Sequence, residues 1–130
     1  MIARHHRFHG YNSLRHVYQR GQTVRDSSMA LRYLLNPRRK TFRVAVVVSR
    51  KVSKSAVVRN RIRRRLYELL RNYQGQINQP YDLVLTVFSD QIAELPVDKL
   101  SKSLHAQLLK AKLIAPATDP QRDIVKAKES

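Results

Sequence analysis

The chain of 130 residues predicts an α+β domain with the element order α-β-β-β-α-β-α, a single sheet with helices packed on it. Two stretches, Val58 to Tyr73 and Val97 to Ala111, repeat their apolar residues at steps of three and four, which is helical spacing. Runs at 29–35, 41–48 and 81–88 alternate or are apolar on both faces, which is strand spacing. The length fits one domain, and 42% hydrophobic residues suffice for a modest core. The expected boundaries are a single domain over 1–113, with 1–10 as a mobile N-terminus and 114–130 as a disordered tail.

Taken in order, Met1 to Gly10 holds His5, His6 and His9 without an Asp, Glu or Cys beside them, so a metal site is not expected there. Asn12 or Ser13 caps a short helix in which Leu14, Val17 and Tyr18 share a face, and Gly21 provides a left-handed exit. Between Thr23 and Leu35, Met29, Leu31, Tyr33 and Leu35 alternate with Ala30, Arg32 and Leu34, and Asp26-Ser27-Ser28 makes the hairpin turn. Asn36-Pro37-Arg38-Arg39-Lys40 is a turn with a basic tip, because Pro37 cannot continue a ladder.

From Thr41 to Val48, Phe42, Val44, Val46 and Val48 share one face, while Ala45 and Val47 make the other apolar too. That pattern predicts a central strand. A loop at 75–80 leads to a further buried strand at 81–88. Pro96 opens a last helix with the packing stripe Val97, Leu100, Leu104, Leu108 and Ala111, and His105 sits beside that stripe.

The run from Ser49 to Tyr73 dominates the chain, with nine Lys or Arg residues against one acid, Glu68. Ser55 is the expected N-cap, and Val58, Ile62, Leu66, Leu69 and Tyr73 line one side. At about 100° per residue, with Val58 at zero, the apolar residues fall within roughly 0° to 120°, while Asn60, Arg64 and Arg71 fall near 200° to 240°. Arg59, Arg61, Arg63 and Arg65 fall on the flanks, where an aliphatic stem covers the core edge and the guanidinium points outward. A merely solvated face would mix charge signs. Here Arg59/Arg63 and Arg61/Arg65 are like-charged pairs at i,i+4, with Arg64/Glu68 as the opposite pair, an imbalance that a polyanion relieves.

Ser49-Arg50-Lys51, a short polar link and then Ala56-Val57-Val58-Arg59-Asn60-Arg61-Ile62-Arg63-Arg64, on a predicted helix after a Val-rich strand, resembles the signature segment of the bacterial ribonuclease P protein subunit. The resemblance spans roughly Arg7 to Leu113. It implies a two-layer sandwich with a four-stranded mixed sheet, like the second domain of ribosomal protein S5. It also implies a subunit that assists a catalytic RNA in removing the 5′ leader of precursor tRNA, with Mg²⁺ bound mainly by the RNA. Carried over residue by residue, Arg59, Asn60, Arg61, Arg63 and Arg64 would contact the catalytic RNA, with Arg50, Lys51 and Lys54 flanking them. Leu14, Tyr18, Arg32, Tyr33 and Phe8 are the candidates for a leader-binding cleft, in which aromatic rings stack on unpaired bases.

Some positions depart from the family pattern, which often has Gly at Ala45, Leu at Arg65 and Arg at Tyr67. A cleft tyrosine of the second strand is replaced by Arg32, with Tyr33 next to it.

The residues themselves point away from a self-contained enzyme. The nine acids are scattered with no converging pair for a metal-dependent nuclease, and no spacing brings His16 and His105 together as acid and base. Three glycines make no phosphate loop. The net charge of +17 implies a polyanionic partner, nucleic acid ahead of a membrane surface, since the apolar run from Val44 to Val48 is far too short to span. Zero cysteines exclude disulfides and zinc fingers and fit the cytoplasm. Two other readings remain from the residues alone: a non-catalytic RNA-binding protein of ribosomal type, and a protein-only ribonuclease using His16 or His105.

Overall fold

The computed structural model describes residues 6, 7 and 11–115, with only the backbone of 11–13. The elements follow the expected order: α1 (Tyr11–Arg20), β1 (Gln22–Arg25), β2 (Met29–Leu35), β3 (Arg43–Val47), α2 (Ala56–Arg71), β4 (Tyr81–Val87) and α3 (Val97–Lys110), with a short 3₁₀ turn, Asp90–Ala93, before α3. The sheet is four-stranded and mixed. Its order is β1-β2-β4-β3, with β1–β2 and β2–β4 antiparallel and β3–β4 parallel.

Strand alternation divides the side chains between two faces. One face sends Met29, Leu31, Val44, Val46, Leu83 and Leu85 into the main core, where Ile62, Leu66 and Leu70 of α2 and Leu100, Leu104 and Leu108 of α3 meet them. The opposite face carries a smaller cluster of Val17, Ala45 and Val84, with Leu14, Leu34 and Val47 packed on it. Helix α1 therefore lies across the face that α2 and α3 leave uncovered.

This arrangement corrects the expectation of a central β3. The strand is at the edge, and both its faces are apolar because helices cover both sides of the sheet. Its open edge is dressed: Arg7 forms a parallel bridge with Val44, and the backbone N–H of Val46 donates to the Tyr67 hydroxyl at 3.1 Å. His6 is buried, stacks on Phe42 at 4.2 Å and hydrogen-bonds the Phe42 carbonyl through Nδ1 at 2.9 Å. A mobile N-terminus over 1–10 thus does not hold for His6 and Arg7; the rest of that segment, Phe8 included, lies outside the described residues.

Helix α1 begins at Tyr11, ahead of the expected caps Asn12 and Ser13. Gly21 is not the left-handed exit expected, and its role is close approach. A Cβ there would stand 2.5 Å from the Val17 carbonyl oxygen and 3.0 Å from that of Tyr33, so only glycine lets β1 leave the helix so tightly.

The hairpin turn is tied to the last helix. Asp26 Oδ1 accepts from the backbone N–H groups of Ser28 and Met29 at 2.7 and 2.9 Å, and Oδ2 accepts from Ser103 Oγ and Gln107 Nε2 at 2.8 and 2.9 Å. Burial pushes this carboxyl up, but the hydrogen bonds from Gln107, Met29, Ser28 and Ser103 outweigh it and hold the group below its ordinary 3.8.

Helix α3 ends at Lys110 with Ala111 as its C-cap, and Lys112 beyond it takes the left-handed conformation at φ 60°. Leu113 N–H then returns to the Leu108 carbonyl at 3.0 Å and Lys112 N–H to that of Leu109 at 2.9 Å, a Schellman closure. The closure swings Leu113 and Ile114 into the core, one residue past the expected end of the domain. The tail at 116–130 lies outside the described residues.

Candidate nucleic-acid interface

Helix α2 forms where expected. Ser55 is extended and its hydroxyl accepts from Val58 N–H at 3.3 Å, an N-cap without a capping box. Ile62, Leu66 and Leu70 are its buried residues, with Leu69 and Val58 only half-buried. The buried arc thus centres nearer 80° than 0° on the helical wheel, and it includes Leu70, near 120°, a core position outside the expected stripe.

The arginines sort by that geometry. Arg65 turns inward, contrary to the expectation of an outward guanidinium, and donates to the backbone carbonyls of Ile92 within the 3₁₀ turn and of Leu95 just after it. Arg59 is half-buried and donates to the Ser53 carbonyl at 2.8 Å, which braces the loop before the helix. Arg63 donates to Asn60 Oδ1, so these two motif residues hold each other on the surface. Arg61 is mostly exposed and lies 3.5 Å from Glu94. Glu68 pairs with Arg71 at 3.4 Å rather than with Arg64, and Arg64 is left exposed with no carboxylate partner among the described residues.

The flanking basic residues converge on the start of this helix. Arg50, Lys51, Lys54, Ala56 and Arg59 line one recess of about 640 Å³. The N-terminus of α2, whose free N–H groups carry the positive end of the helix dipole, opens beside it. All of the cationic candidates on this side are therefore brought to one helix and its entry loop.

The second set of candidates lies at α1. Tyr18 is 38% exposed, with its hydroxyl 3.4 Å from Thr86 Oγ1. Arg32 donates to the Tyr18 carbonyl and its guanidinium stands 5.6 Å from the Tyr18 ring centroid. Leu14 packs on the small cluster below. Tyr33 is not brought to this cleft. It points to the other face, where it packs on the main core, meets Tyr81 edge-on at 6.2 Å and donates to Gln22 Oε1 at 3.0 Å. The period of two decides this, since Arg32 and Tyr33 cannot share a face.

A further exposed aromatic ring stands on the α1 face of the sheet. Phe88 is 43% exposed and carries Arg25 over its ring at 5.3 Å. Thr86 and Phe88 share the α1 face of the sheet, so an arginine-capped ring at Phe88 neighbours the one at Tyr18. An apolar residue after a buried strand gives no signal of this; only the pairing of β4 with β2 does.

Positions that depart from the resembled pattern have structural partners here. Arg65 anchors the segment before α3, Tyr67 caps the edge of β3, and Ala45 packs with Val17 and Val84. His105 Nδ1 hydrogen-bonds the Tyr73 hydroxyl at 2.9 Å, within the α2–α3 packing, and His16 is exposed on α1. The two histidines are therefore not brought together. Among the described residues no group of three or more His, Cys, Asp or Glu is placed to hold a metal, and no helix is long and apolar enough to cross a membrane.

The comparisons with known proteins agree on one family. The ribonuclease P family model matches residues 2–112. A ribonuclease P protein component from Synechocystis sp. is 37% identical over 76 residues, which is 58% of this chain and 61% of the relative. One from Pseudanabaena sp. is 31% identical over 115 residues, 88% of this chain and 97% of the relative. The solved structure of the Staphylococcus aureus RNase P protein superposes with a TM-score of 0.76 at 22% identity, covering 85% of this chain and 98% of that one. A helix faced with arginine, a mixed sheet and a match along nearly the whole chain lead to one conclusion: the chain belongs to the ribonuclease P protein family.

Proposed function

We infer that the chain is the protein subunit of ribonuclease P, working with the ribonuclease P RNA in the removal of 5′ leaders from precursor tRNA. The observation that carries this reading is the match of the family model to residues 2–112, and the physical features agree with it. On α2, Arg61, Arg63 and Arg64 stand outward around Asn60, while Arg50, Lys51, Lys54 and Arg59 gather at the helix start. Guanidinium groups fork onto phosphate oxygens and accept RNA of any sequence, which suits a face that grips a folded RNA by its backbone.

In the finer reading, the leader lies along α1. Tyr18, capped by Arg32, takes one unpaired base, and Phe88, capped by Arg25, is a second stacking ring. The bond-breaking step belongs to the RNA and its Mg²⁺. The subunit then works by charge neutralisation and positioning in the cytoplasm.

Reconstitution with a bacterial ribonuclease P RNA at low Mg²⁺ tests this. Adding the protein raises leader cleavage well above that of the RNA alone; no gain at any protein concentration would refute the reading.

A further inference from the structure

We propose that α3 carries a second row of phosphate contacts, Lys99, Lys102 and Lys110, which grips the same helical segment of the ribonuclease P RNA as the arginines of α2. The proposal rests on the subunit reading above and extends it to a helix outside the motif segment.

The three lysines share one side of α3. At about 100° per residue, with Val97 at zero, the buried residues Leu100, Leu104, Gln107 and Leu108 fall roughly between 280° and 20°, while Lys102 falls near 140° and Lys99 and Lys110 near 200° to 220°. The ammonium groups therefore stand opposite the packed side, over about 16 Å of helix at 1.5 Å per residue. All three are exposed, and none has a carboxylate partner among the described residues. The one acid of the helix, Asp98, sits in the first turn, where it complements the positive end of the helix dipole. A row of like charges in this state repels itself, and a polyanion relieves the repulsion.

The row belongs to the same layer as the arginines. Ile62, Leu66 and Leu70 of α2 and Leu100, Leu104 and Leu108 of α3 pack on one face of the sheet, with α2 over β3 and α3 over β1. Arg65 reaches the Leu95 carbonyl just ahead of α3, and Tyr73, about two turns on, reaches His105 Nδ1 at 2.9 Å, so the helices run side by side in the same direction. Their outer surfaces meet in one recess of about 430 Å³, lined by Arg64, Arg65, Glu68 and Leu69 of α2 and by Val97 of α3. Arg64 is thus both a motif residue and part of a wall shared with α3. Glu68, the acid on that wall, is paired with Arg71.

This layout selects an RNA helix as the occupant. The wide, shallow minor groove of A-form RNA is bordered by the phosphates of both strands, and proteins grip such RNA by contacts across it. Two side-by-side helices with axes about 8 to 10 Å apart set arginines against one border and lysines against the other, which a single helix cannot do. The partner is the ribonuclease P RNA rather than the leader, because α1 and Tyr18 lie on the opposite face of the sheet. A second copy of the chain does not suit this face, since it brings the same net charge of +17.

The test measures binding of the full chain to a bacterial ribonuclease P RNA transcript by filter binding across salt concentrations. In the triple variant Lys99→Ala, Lys102→Ala, Lys110→Ala, Kd rises about tenfold, as for three exposed ion pairs, and the salt slope falls by about 2 to 3, at roughly 0.9 per duplex phosphate. Arginine at the same three positions restores both, and urea unfolding of the two variants matches the wild type. In the reconstituted holoenzyme the ratio of affinities for precursor and mature tRNA stays the same, because the leader does not touch α3. An unchanged Kd and slope on the transcript overturns the proposal. So does a loss seen only when tRNA is added, which assigns the lysines to the tRNA body, or a fall in that ratio, which assigns them to the leader. A wild type that itself fails to bind the transcript refutes the subunit reading, and the proposal with it.

Discussion

The α2 surface and the cleft beside α1 both carry arginine, yet the side chains are used differently. On α2, Arg61 and Arg64 stand outward from a helix whose opposite side is packed, and Asn60 orients Arg63. Beside α1, Arg32 lies over Tyr18 and Arg25 over Phe88, so each guanidinium is committed to a ring. The first surface offers charge alone, which would suit phosphate on any nucleotide. The second pairs charge with an aromatic face, which suits unstacked bases and leaves a regular duplex ungripped. In the function proposed above, a folded RNA and a loose strand would each have their own kind of surface, kept apart by the sheet.

The comparison can be broken most sharply on α2. Changing Arg59, Arg61 and Arg64 to Ala should weaken binding to ribonuclease P RNA about a hundredfold, at roughly 1 kcal/mol per side chain. The salt slope should fall by about 0.9 for each duplex phosphate no longer neutralised, measured by filter binding across salt concentrations. An unchanged slope would mean that those groups do not touch phosphate.

In the cleft, Tyr18→Ala or Phe88→Ala should each reduce affinity for a leader-bearing substrate by about 1 to 3 kcal/mol while leaving mature tRNA unaffected. Equal losses on both RNAs would place those rings in the core instead. Arg65→Leu sharpens the inward and outward distinction on α2. It should lower folding stability by about 1 to 3 kcal/mol, because two backbone carbonyls lose their charged donor, and should leave the salt slope of RNA binding alone. Urea unfolding and the binding titration separate the two effects.

The smallest effect concerns Asp26. Its folded-state carboxyl titrates below the unfolded value, so the stability it contributes is complete above pH 4 or so and is lost as pH falls through the folded value. Asp26→Asn should flatten that acid limb of the stability curve, and a wild-type limb that persists in the variant would assign it to another group.

Much of this is legible in the residues, and the failures have physical causes. The element order, the hairpin at 26–28 and the Ser55 cap follow from period and local chemistry. The order of strands does not: β3 looks central because it is apolar on both faces, and periodicity cannot tell a neighbouring strand from a covering helix. The fate of individual arginines is equally hidden. Arg65 and Arg61 differ by one helical turn, yet Arg65 meets the carbonyls of a segment nearly thirty residues away while Arg61 faces water and Glu94. Phe88 is silent in the sequence because its partner Arg25 is brought to it only by the sheet.

The parallel pairing of β3 with β4 also sets a sequence of events. As the chain leaves the ribosome, β3 is complete long before its neighbour β4 exists, because all of α2 intervenes. One of its edges can be satisfied early, by Arg7 upstream and then by Tyr67 on the emerging helix. The other must wait for Asp82 to Thr86 of β4, and pairing across such a span is slow. Translation therefore passes through an interval in which a highly cationic nascent chain offers a half-finished sheet, and that interval closes only when the last strand has been made.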